Sequence, residues 1–221
     1  DVLPLICHSV EEIKEAFKIG LQAGYTTLAV KSPFGASGRD IMRFPDGEFT
    51  KNQEGRLNNL LKKQSSLIVE PWVERVADFS AHYQRGEKVK FVGISRLLND
   101  HHGQYDGSLF GKPFQGLSAD VMKLLQLGGP KGIHSFYEGM IPLLEEKLKE
   151  CDYRGPFGID LFIFRNAAGE LRVRPIVEVN FRYTMGRLAL QLEKKLAAGK
   201  TGLFKIFSLL SLKEGGFAKK L

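Results

Sequence analysis

Two predicted strands, residues 157–164 and 171–181, carry carboxylate and amide side chains within apolar runs and are joined by a short turn. Side chains alternate along a strand, so Glu178 and Asn180 share one face, and centring the turn places Asp160 diagonally opposite Glu178. Two carboxylates and a carboxamide oxygen are hard ligands of the kind that bind Mg²⁺. The pattern predicts a magnesium site on this hairpin, although a polar face that only meets solvent explains the spacing equally well.

The hairpin also predicts a cation beside the acids and a core beneath them. Arg182 falls on the same face as Glu178 and Asn180, where a guanidinium can neutralise the carboxylates or hold an anionic reacting group. On the other face we expect the core, formed by Ile159, Leu161, Ile163, Val177, Val179 and Phe181.

A second group of residues follows a buried strand that we predict at 25–30 and that ends at Lys31. Lysine neutralises phosphate as a point charge, and small residues let backbone amides approach phosphate closely. The loop fits neither the GxxxxGKS/T nor the GxGxxG pattern, and a hairpin with glycines at its tip needs no ligand. A return strand is expected at 40–44. The loop residues that would contact phosphate are Gly35, Ala36, Ser37 and Gly38.

A third group lies on an apolar strand at 67–73, where we place an interdomain hinge. The edge of adenine needs a backbone acceptor and donor in an apolar slot, and ribose hydroxyls need a nearby carboxylate. The hinge strand can supply the first, and Asp78 can supply the second. An edge strand that ends at a proline, with a tryptophan packed on it, is an adequate alternative. The hinge residues that would surround adenine are Glu70, Pro71, Trp72 and Val73.

The remaining periodicity predicts further helices and strands. Ser9 and Glu12 form a capping-box pattern at the start of a first helix that ends near Leu21. We expect other helices at 52–63, 133–149 and 185–196, strands at 78–85 and 89–98, and a glycine-rich loop at 99–116. The buried face of the 133–149 helix is predicted to carry Phe136, Met140, Leu144 and Leu148.

Composition excludes several classes of protein. The 221 residues are 43% hydrophobic and 26% charged, as in globular proteins, and no apolar run is long enough for a membrane span. Cys7 and Cys151 form no CxxC pair, and no secretory signal begins the sequence, so we expect a cytoplasmic protein without zinc or disulfides. The net charge of +7 suits nucleotides, nucleic acids or membranes. Because no basic stripe interleaves with exposed aromatic residues, we expect neither nucleic acid nor membrane as a partner.

Taken in order, the three groups resemble the ATP-grasp superfamily of carboxylate ligases and related kinases. The lysine strand and phosphate loop of that family resemble residues 28–41, and its adenine hinge resembles residues 67–73. Its metal-binding end is similar to residues 158–163 and 177–182, which match the pattern E-x-N-x-R. The resemblance covers roughly residues 9–195, and the last block is the most specific.

The resemblance implies an α+β fold of two subdomains, residues 1–66 and 67–221, whose antiparallel sheets sandwich a nucleotide. It implies that Lys31 contacts the phosphates, that Glu70 receives the adenine amino group and that Asp78 binds ribose. Arg182 would stabilise the phosphoryl group or an acyl phosphate. One or two magnesium ions, or manganese, would be held by Asp160, Glu178 and Asn180.

The function implied is an ATP- and Mg²⁺-dependent ligase that activates a small-molecule carboxylate as an acyl phosphate for attack by an amine or similar nucleophile. A small-molecule kinase and a nucleotide-binding interaction protein without turnover are the alternatives, and a homodimer is left open. A protein kinase is excluded because no HRD or DFG motif follows Lys31. Many members carry an earlier nucleotide lysine and an N-terminal substrate domain, so this chain is expected to be a fragment. Arg96, His101 and His102 either meet substrate or are merely exposed.

Overall fold

The structure is a computed structural model, and it describes residues 4–33, 41–99, 105–127, 129 and 131–205. The chain forms two compact units. One comprises Asp1–Val76 and Ile163–Arg172, and the other comprises Ala77–Phe162 and Val173–Leu221. The prediction of functional subdomains at 1–66 and 67–221 is a separate matter, and it stays a prediction.

The first unit contains a four-stranded sheet and two helices. Its sheet runs in the order β1-β4-β2-β3, and every neighbouring pair is antiparallel. Its core is an apolar cluster that includes Ile13, Phe17, Leu28 and Phe44. The elements are β1 (Leu5–Cys7), α1 (Val10–Gln22), β2 (Thr27–Lys31), β3 (Met42–Pro45), α2 (Lys51–Gln64) and β4 (Leu67–Pro71).

The start of α1 follows the capping pattern in part. The Glu12 N–H donates to Ser9 Oγ over 3.1 Å, which satisfies one of the helix-end donors. The Glu12 carboxylate accepts from the His8 N–H at 2.7 Å, one residue before the cap, so the return bond differs from a capping box. Helix α2 has the complete box, formed by Thr50 and Gln53.

The second sheet has six strands in the order β10-β7-β6-β5-β8-β9. The elements are β5 (Glu74–Arg85), β6 (Val89–Asn99), β7 (Tyr105–Phe110), α3 (Ala119–Leu125), α4 (Gly132–Gly139), α5 (Ile141–Lys147), β8 (Gly155–Arg165), β9 (Leu171–Asn180), α6 (Met185–Glu193) and β10 (Gly202–Lys205). Strand β8 lies between β5 and β9, so the sheet flanks it on both sides.

The core predicted for the hairpin is right for β8 and wrong for the end of β9. Ile159, Leu161 and Ile163 are at most 1% exposed, as expected for an inner strand. Val179 and Phe181 are 40% and 44% exposed instead. Strand β9 is the edge of the sheet, so its apolar face has a neighbouring strand on one side alone.

The loop predicted at 99–116 is wrong for residues 105–110, which form β7. This strand pairs with β6 on one side and β10 on the other, so its backbone groups bond within the sheet. Gly107 packs so closely against β10 that an added Cβ would lie 2.8 Å from the Phe204 carbonyl oxygen. The glycine therefore reflects a close approach of two strands, which local turn signals do not reveal.

The single helix predicted at 133–149 is also wrong, because α4 and α5 are separate helices that meet at Met140. Pro142 lies in the first turn of α5, where its missing N–H is tolerated but a continuous helix is not. Phe136 is 48% exposed, whereas Tyr137 is fully buried. The Tyr137 hydroxyl donates to the Pro175 carbonyl at 2.6 Å, and its own carbonyl accepts from Tyr83, so its polar end is satisfied in the core.

Candidate functional site

The acidic and amide residues predicted on the hairpin lie together. Asp160 is half-buried on β8, and Glu178 and Asn180 lie on the neighbouring strand β9. The Asn180 side-chain amide donates to Asp160 Oδ2 at 3.1 Å and to Glu178 Oε1 at 2.9 Å. Arg182 donates to Asn180 Oδ1 at 3.0 Å. The structure therefore brings four of the predicted site residues into one hydrogen-bonded cluster.

The environment of Asp160 disfavours its charge. Burial raises the pKa of the Asp160 carboxyl to about 7, and the nearby Glu178 carboxylate adds to the rise. The Ser80 hydroxyl and the Arg182 guanidinium act in the opposite direction. Ser80 Oγ is buried and has no hydrogen-bond partner among the described residues. Two acids held together in this way form a site that a further positive charge would stabilise.

His82 is a buried polar residue that lies close to Thr184, just after the hairpin. His82 on β5 is fully buried, and its Nε2 lies 2.8 Å from Ser95 Oγ while its Nδ1 lies 3.4 Å from Thr184 Oγ1. Burial, together with the charge of Arg187, lowers the pKa of His82 to about 3. The imidazole is therefore neutral at physiological pH. Thr184 also accepts from the Arg187 N–H and so caps α6.

Gly186 provides a test of this packing. A Cβ added there would lie 2.4 Å from Ser95 Oγ and 2.8 Å from His82 Nε2. We expect Gly186→Ala to lower the free energy of unfolding by about 1–3 kcal/mol, because the buried ring must shift out of its hydrogen bonds. Chemical denaturation measures the difference.

Gly55 is the matched control, since it also lies in a helix and an added Cβ would meet nothing within 4 Å. Gly55→Ala should stabilise the protein by roughly 0.5–1 kcal/mol. A Gly186→Ala variant as stable as the wild type would show that His82, Ser95 and Thr184 are loosely packed.

The lysine predicted to contact phosphate lies at the end of β2 and forms an ion pair within the first unit. Lys31 Nζ is 2.8 Å from Glu70 Oε1, and the two side chains are 20% and 11% exposed. Residue 31 pairs with Ile68 across the sheet, and Ala29 pairs with Glu70. The predicted phosphate-binding lysine and the predicted adenine-binding glutamate are thus direct partners.

The hinge residues follow β4. Pro71 is buried and ends the strand, and the Trp72 N–H donates to the Thr27 carbonyl at 2.8 Å. The Arg43 guanidinium lies over the Trp72 ring, 3.8 Å from the ring centre, in a cation–π contact. Because the backbone N–H of Trp72 already donates to Thr27, another backbone N–H of the hinge would have to donate to adenine. Val73 is half-buried.

Asp78 lies on β5, in the second unit, and its charge acts on Arg96. Burial lowers the pKa of Arg96, and Asp78 opposes that shift. Arg96 donates to the Gln115 carbonyl at 2.9 Å, so at least one of its donors serves the fold. Outside the described residues lie several predicted positions, namely Gly35, Ala36, Ser37, Gly38, His101 and His102.

The sequence reasoning missed the support around His82. One signal was available, because Thr184 directly precedes a helical segment and threonine at that place is a common N-cap. His82 and its partner Ser95 come from strands that give no such signal. Their role depends on the pairing of Ser80 with Ser95 across β5 and β6.

The residues of the hairpin fit a magnesium ion. Within the part of the chain that the structure describes, no three histidine, cysteine, aspartate or glutamate side chains converge as a metal site. The hairpin offers two carboxylates and one carboxamide, a set of hard oxygen donors that suits an ion also bound by phosphate and water.

Comparison with known proteins gave one informative sequence relative. No family model matches the chain. A butirosin acyl-carrier protein-L-glutamate ligase from Niallia circulans is 26% identical over 182 residues. The match covers 80% of this chain and 38% of the relative. The chain therefore spans about two-fifths of the length of the curated relative that it matches.

Solved structures share the arrangement of strands and helices. D-alanyl-alanine synthetase A from Vibrio cholerae superposes with a TM-score of 0.52 at 13% identity, covering 90% of this chain and 56% of the synthetase. The chain has the ATP-grasp fold. The biotin carboxylase domain of Hydrogenobacter thermophilus 2-oxoglutarate carboxylase gives a TM-score of 0.51 at 16% identity, covering 90% of this chain and 43% of that domain.

The ATP-grasp resemblance and the α+β fold with two antiparallel sheets, both expected from the sequence, are confirmed. Among the described residues of this ATP-grasp chain, no helix combines the length and apolar character needed to cross a lipid bilayer.

Proposed function

We propose that this ATP-grasp chain is the nucleotide-binding part of an ATP- and Mg²⁺-dependent ligase that joins a carboxylate to an amine or similar nucleophile. The observation that carries the proposal is the cluster of Asp160, Glu178, Asn180 and Arg182 on β8 and β9. It combines hard oxygen donors with a guanidinium, which are the groups needed to hold and neutralise a transferring phosphoryl group.

In the proposed reaction, an oxygen of the substrate carboxylate attacks the γ-phosphorus of ATP. The bond from that phosphorus to the bridging oxygen breaks, and ADP leaves. The nucleophile then attacks the carbonyl carbon of the acyl phosphate and loses a proton, and inorganic phosphate leaves with the electron pair of the broken C–O bond. Arg182 and Lys31 would stabilise negative charge on the phosphoryl oxygens, because a guanidinium and an ammonium both donate charge-assisted hydrogen bonds to phosphate.

One or two Mg²⁺ ions, or Mn²⁺, would neutralise phosphate charge when bound. Asp160, Glu178 and Asn180 would hold them. Asn180 Oδ1 accepts from Arg182, and its second lone pair would be the one offered to a cation.

We propose that the nucleotide base is held by the hinge of Glu70, Pro71, Trp72 and Val73, and the ribose by Asp78. The loop residues Gly35, Ala36, Ser37 and Gly38 are proposed to bind phosphate. The functional subdomains are proposed as residues 1–66 and 67–221. Support comes from the position of Lys31 and Glu70 on adjacent strands and from the shared fold.

The names of the similar proteins suggest substrates for a first screen. L-glutamate is a candidate because it appears in the name of the Niallia circulans ligase, and so is an acyl group on a carrier protein. The D-alanyl-alanine synthetase suggests other amino acids. A homodimer is a candidate assembly, since the biotin carboxylase domain is described as a dimer with MgADP.

A screen for ADP formation by the full-length gene product tests the proposal. We expect ADP only when a carboxylate and an amine are both present with Mg²⁺, and we expect one inorganic phosphate for each ADP. ADP formed with a single substrate that retains the phosphate would indicate a small-molecule kinase. Stabilisation by Mg-ATP without turnover would favour a nucleotide-binding interaction protein, and absence of that stabilisation would contradict all three functions.

A further inference from the structure

The second unit contains an open cleft that the nucleotide and metal residues do not account for. It has a volume of about 1330 Å³ and lies along residues 91–94 of β6, between α4 and α6 and beside the segment that follows β7. The pairing of β6 with β7 begins at Arg96, so residues 91–94 of β6 are not paired with β7. The cleft therefore opens along a strand where the sheet narrows.

An arginine lines this cleft without an anionic partner in the part of the chain that the structure describes. The Nε of Arg187 is buried and has no hydrogen-bond acceptor among the described residues. The guanidinium forms no ion pair with any carboxylate in the described ranges, although Glu138 and Glu193 also line the cleft. A buried donor of this kind costs free energy unless a ligand or water accepts from it.

The charge and shape of the lining suit a small organic anion. Lys112 and Lys194 join Arg187, giving three cations against the two glutamates. The aliphatic walls come from Val92, Met122 and Leu190. The ring of His134 packs edge-on against Phe91 and Phe114, with centroids 6.2 and 5.6 Å apart. A ligand with an anionic end and a short apolar stem would meet complementary groups at both ends.

The cleft adjoins the hairpin through α6. Thr184 caps this helix and approaches His82, while Gly186 packs on the same ring. Arg187 follows directly and lies close enough to lower the pKa of His82. Asn180 and Arg182 are thus only a few residues in sequence from Arg187, which lines the cleft.

We propose that this cleft binds the small carboxylate-bearing substrate, an amino acid or a short dicarboxylate, and that the Arg187 guanidinium pairs with a carboxylate of that molecule. The assignment of the bound molecule as a substrate rests on the proposed ligase function, whereas the anion site rests on the cleft and Arg187 alone. A guanidinium can hold a carboxylate by two parallel N–H bonds, which fixes orientation as well as charge.

Calorimetric titration of the full chain with L-glutamate, succinate and butyrate tests the site. We expect saturable binding of at least one probe, weakened about tenfold or more in Arg187→Gln and less in Arg187→Lys. Lys195→Gln is the matched control, because Lys195 is exposed and lies outside the cleft lining, and its binding should match the wild type. Mg-ATP affinity should be unchanged in all three variants, and circular dichroism checks their folding.

The outcomes separate the two proposals. Failure of every probe to bind the folded wild type, or binding that Arg187→Gln leaves unchanged, overturns the anion site. Arg187-dependent binding in a chain that does not bind Mg-ATP retains the site and overturns the ligase function. If turnover is found, a raised KM for the carboxylate with little change in kcat supports binding by Arg187, and the reverse pattern overturns that role.

Discussion

Asp160→Asn is expected to lower magnesium-dependent ATP turnover by about 100-fold or more and to stabilise the ligand-free protein above pH 7. The first effect follows because the variant removes a proposed ligand and one negative charge from the hairpin. The second follows because the pKa of Asp160 in the folded state is about 7, so burial destabilises its ionised form. Turnover assays and thermal unfolding with a chelator present measure the two effects.

The contribution of Asp160 to stability decreases as the pH rises. The unfolded carboxyl has a pKa near 3.8, so between pH 3.8 and about 7 the folded state binds a proton that the unfolded state does not. This contribution therefore stabilises the wild type as the pH falls from 7 towards 3.8. Asparagine does not titrate, so the advantage of Asp160→Asn is greatest above pH 7, on the order of 4 kcal/mol at about 1.4 kcal/mol per pKa unit, and fades below pH 4.

Asp152→Asn is the control, because Asp152 is an exposed carboxylate in the same unit. It should leave turnover unchanged. Normal turnover by Asp160→Asn would contradict the proposed metal site. Destabilisation by Asp160→Asn above pH 7 would instead show that the ionised carboxylate is well accommodated.

Lys31→Met is expected to weaken Mg-ATP binding by about 10- to 100-fold, because it removes a cation proposed to face the phosphates. The same change deprives the Glu70 carboxylate, 11% exposed, of this counter-charge and should cost about 1–2 kcal/mol of stability. Isothermal titration measures the affinity, and denaturant unfolding measures the stability.

The double variant Lys31→Met/Glu70→Gln separates the two effects. It should recover part of the lost stability, since residue 70 no longer carries a charge that has lost Lys31, but it should not recover ATP affinity. Lys18→Met is the control, because the Lys18 side chain is 66% exposed and pairs with Glu15 on the helix surface. Equal ATP affinity in Lys31→Met and the wild type would contradict the proposed phosphate contact.

The hairpin could be predicted from the sequence because its pattern is local. Alternation along β9 places Glu178 and Asn180 on one face, and the turn length brings Asp160 to them. The same reasoning failed for Phe181, whose exposure depends on β9 being the edge of a six-stranded sheet. Edge position is a property of the whole strand order, which residues on the strand do not report.

The helices show the same division. The start of α1 was predictable because Ser9 bonds to an N–H three residues along the chain. The burial of Tyr137 in place of Phe136 was not, because it depends on acceptors and donors from β5 and β9. Arg187 likewise follows a simple helical pattern in the sequence, and its significance comes from the cleft that α4 and β6 form beside it.

The sequence by itself indicated the fold of this protein and the set of polar residues that lie together on its hairpin. Periodicity, turns and the E-x-N-x-R spacing act over a few residues, and close neighbours in sequence stay close in any fold. The tertiary structure alone decided how those groups behave. The raised pKa of Asp160, the neutral His82 and the buried Nε of Arg187 each arise from exclusion of water by distant strands and helices.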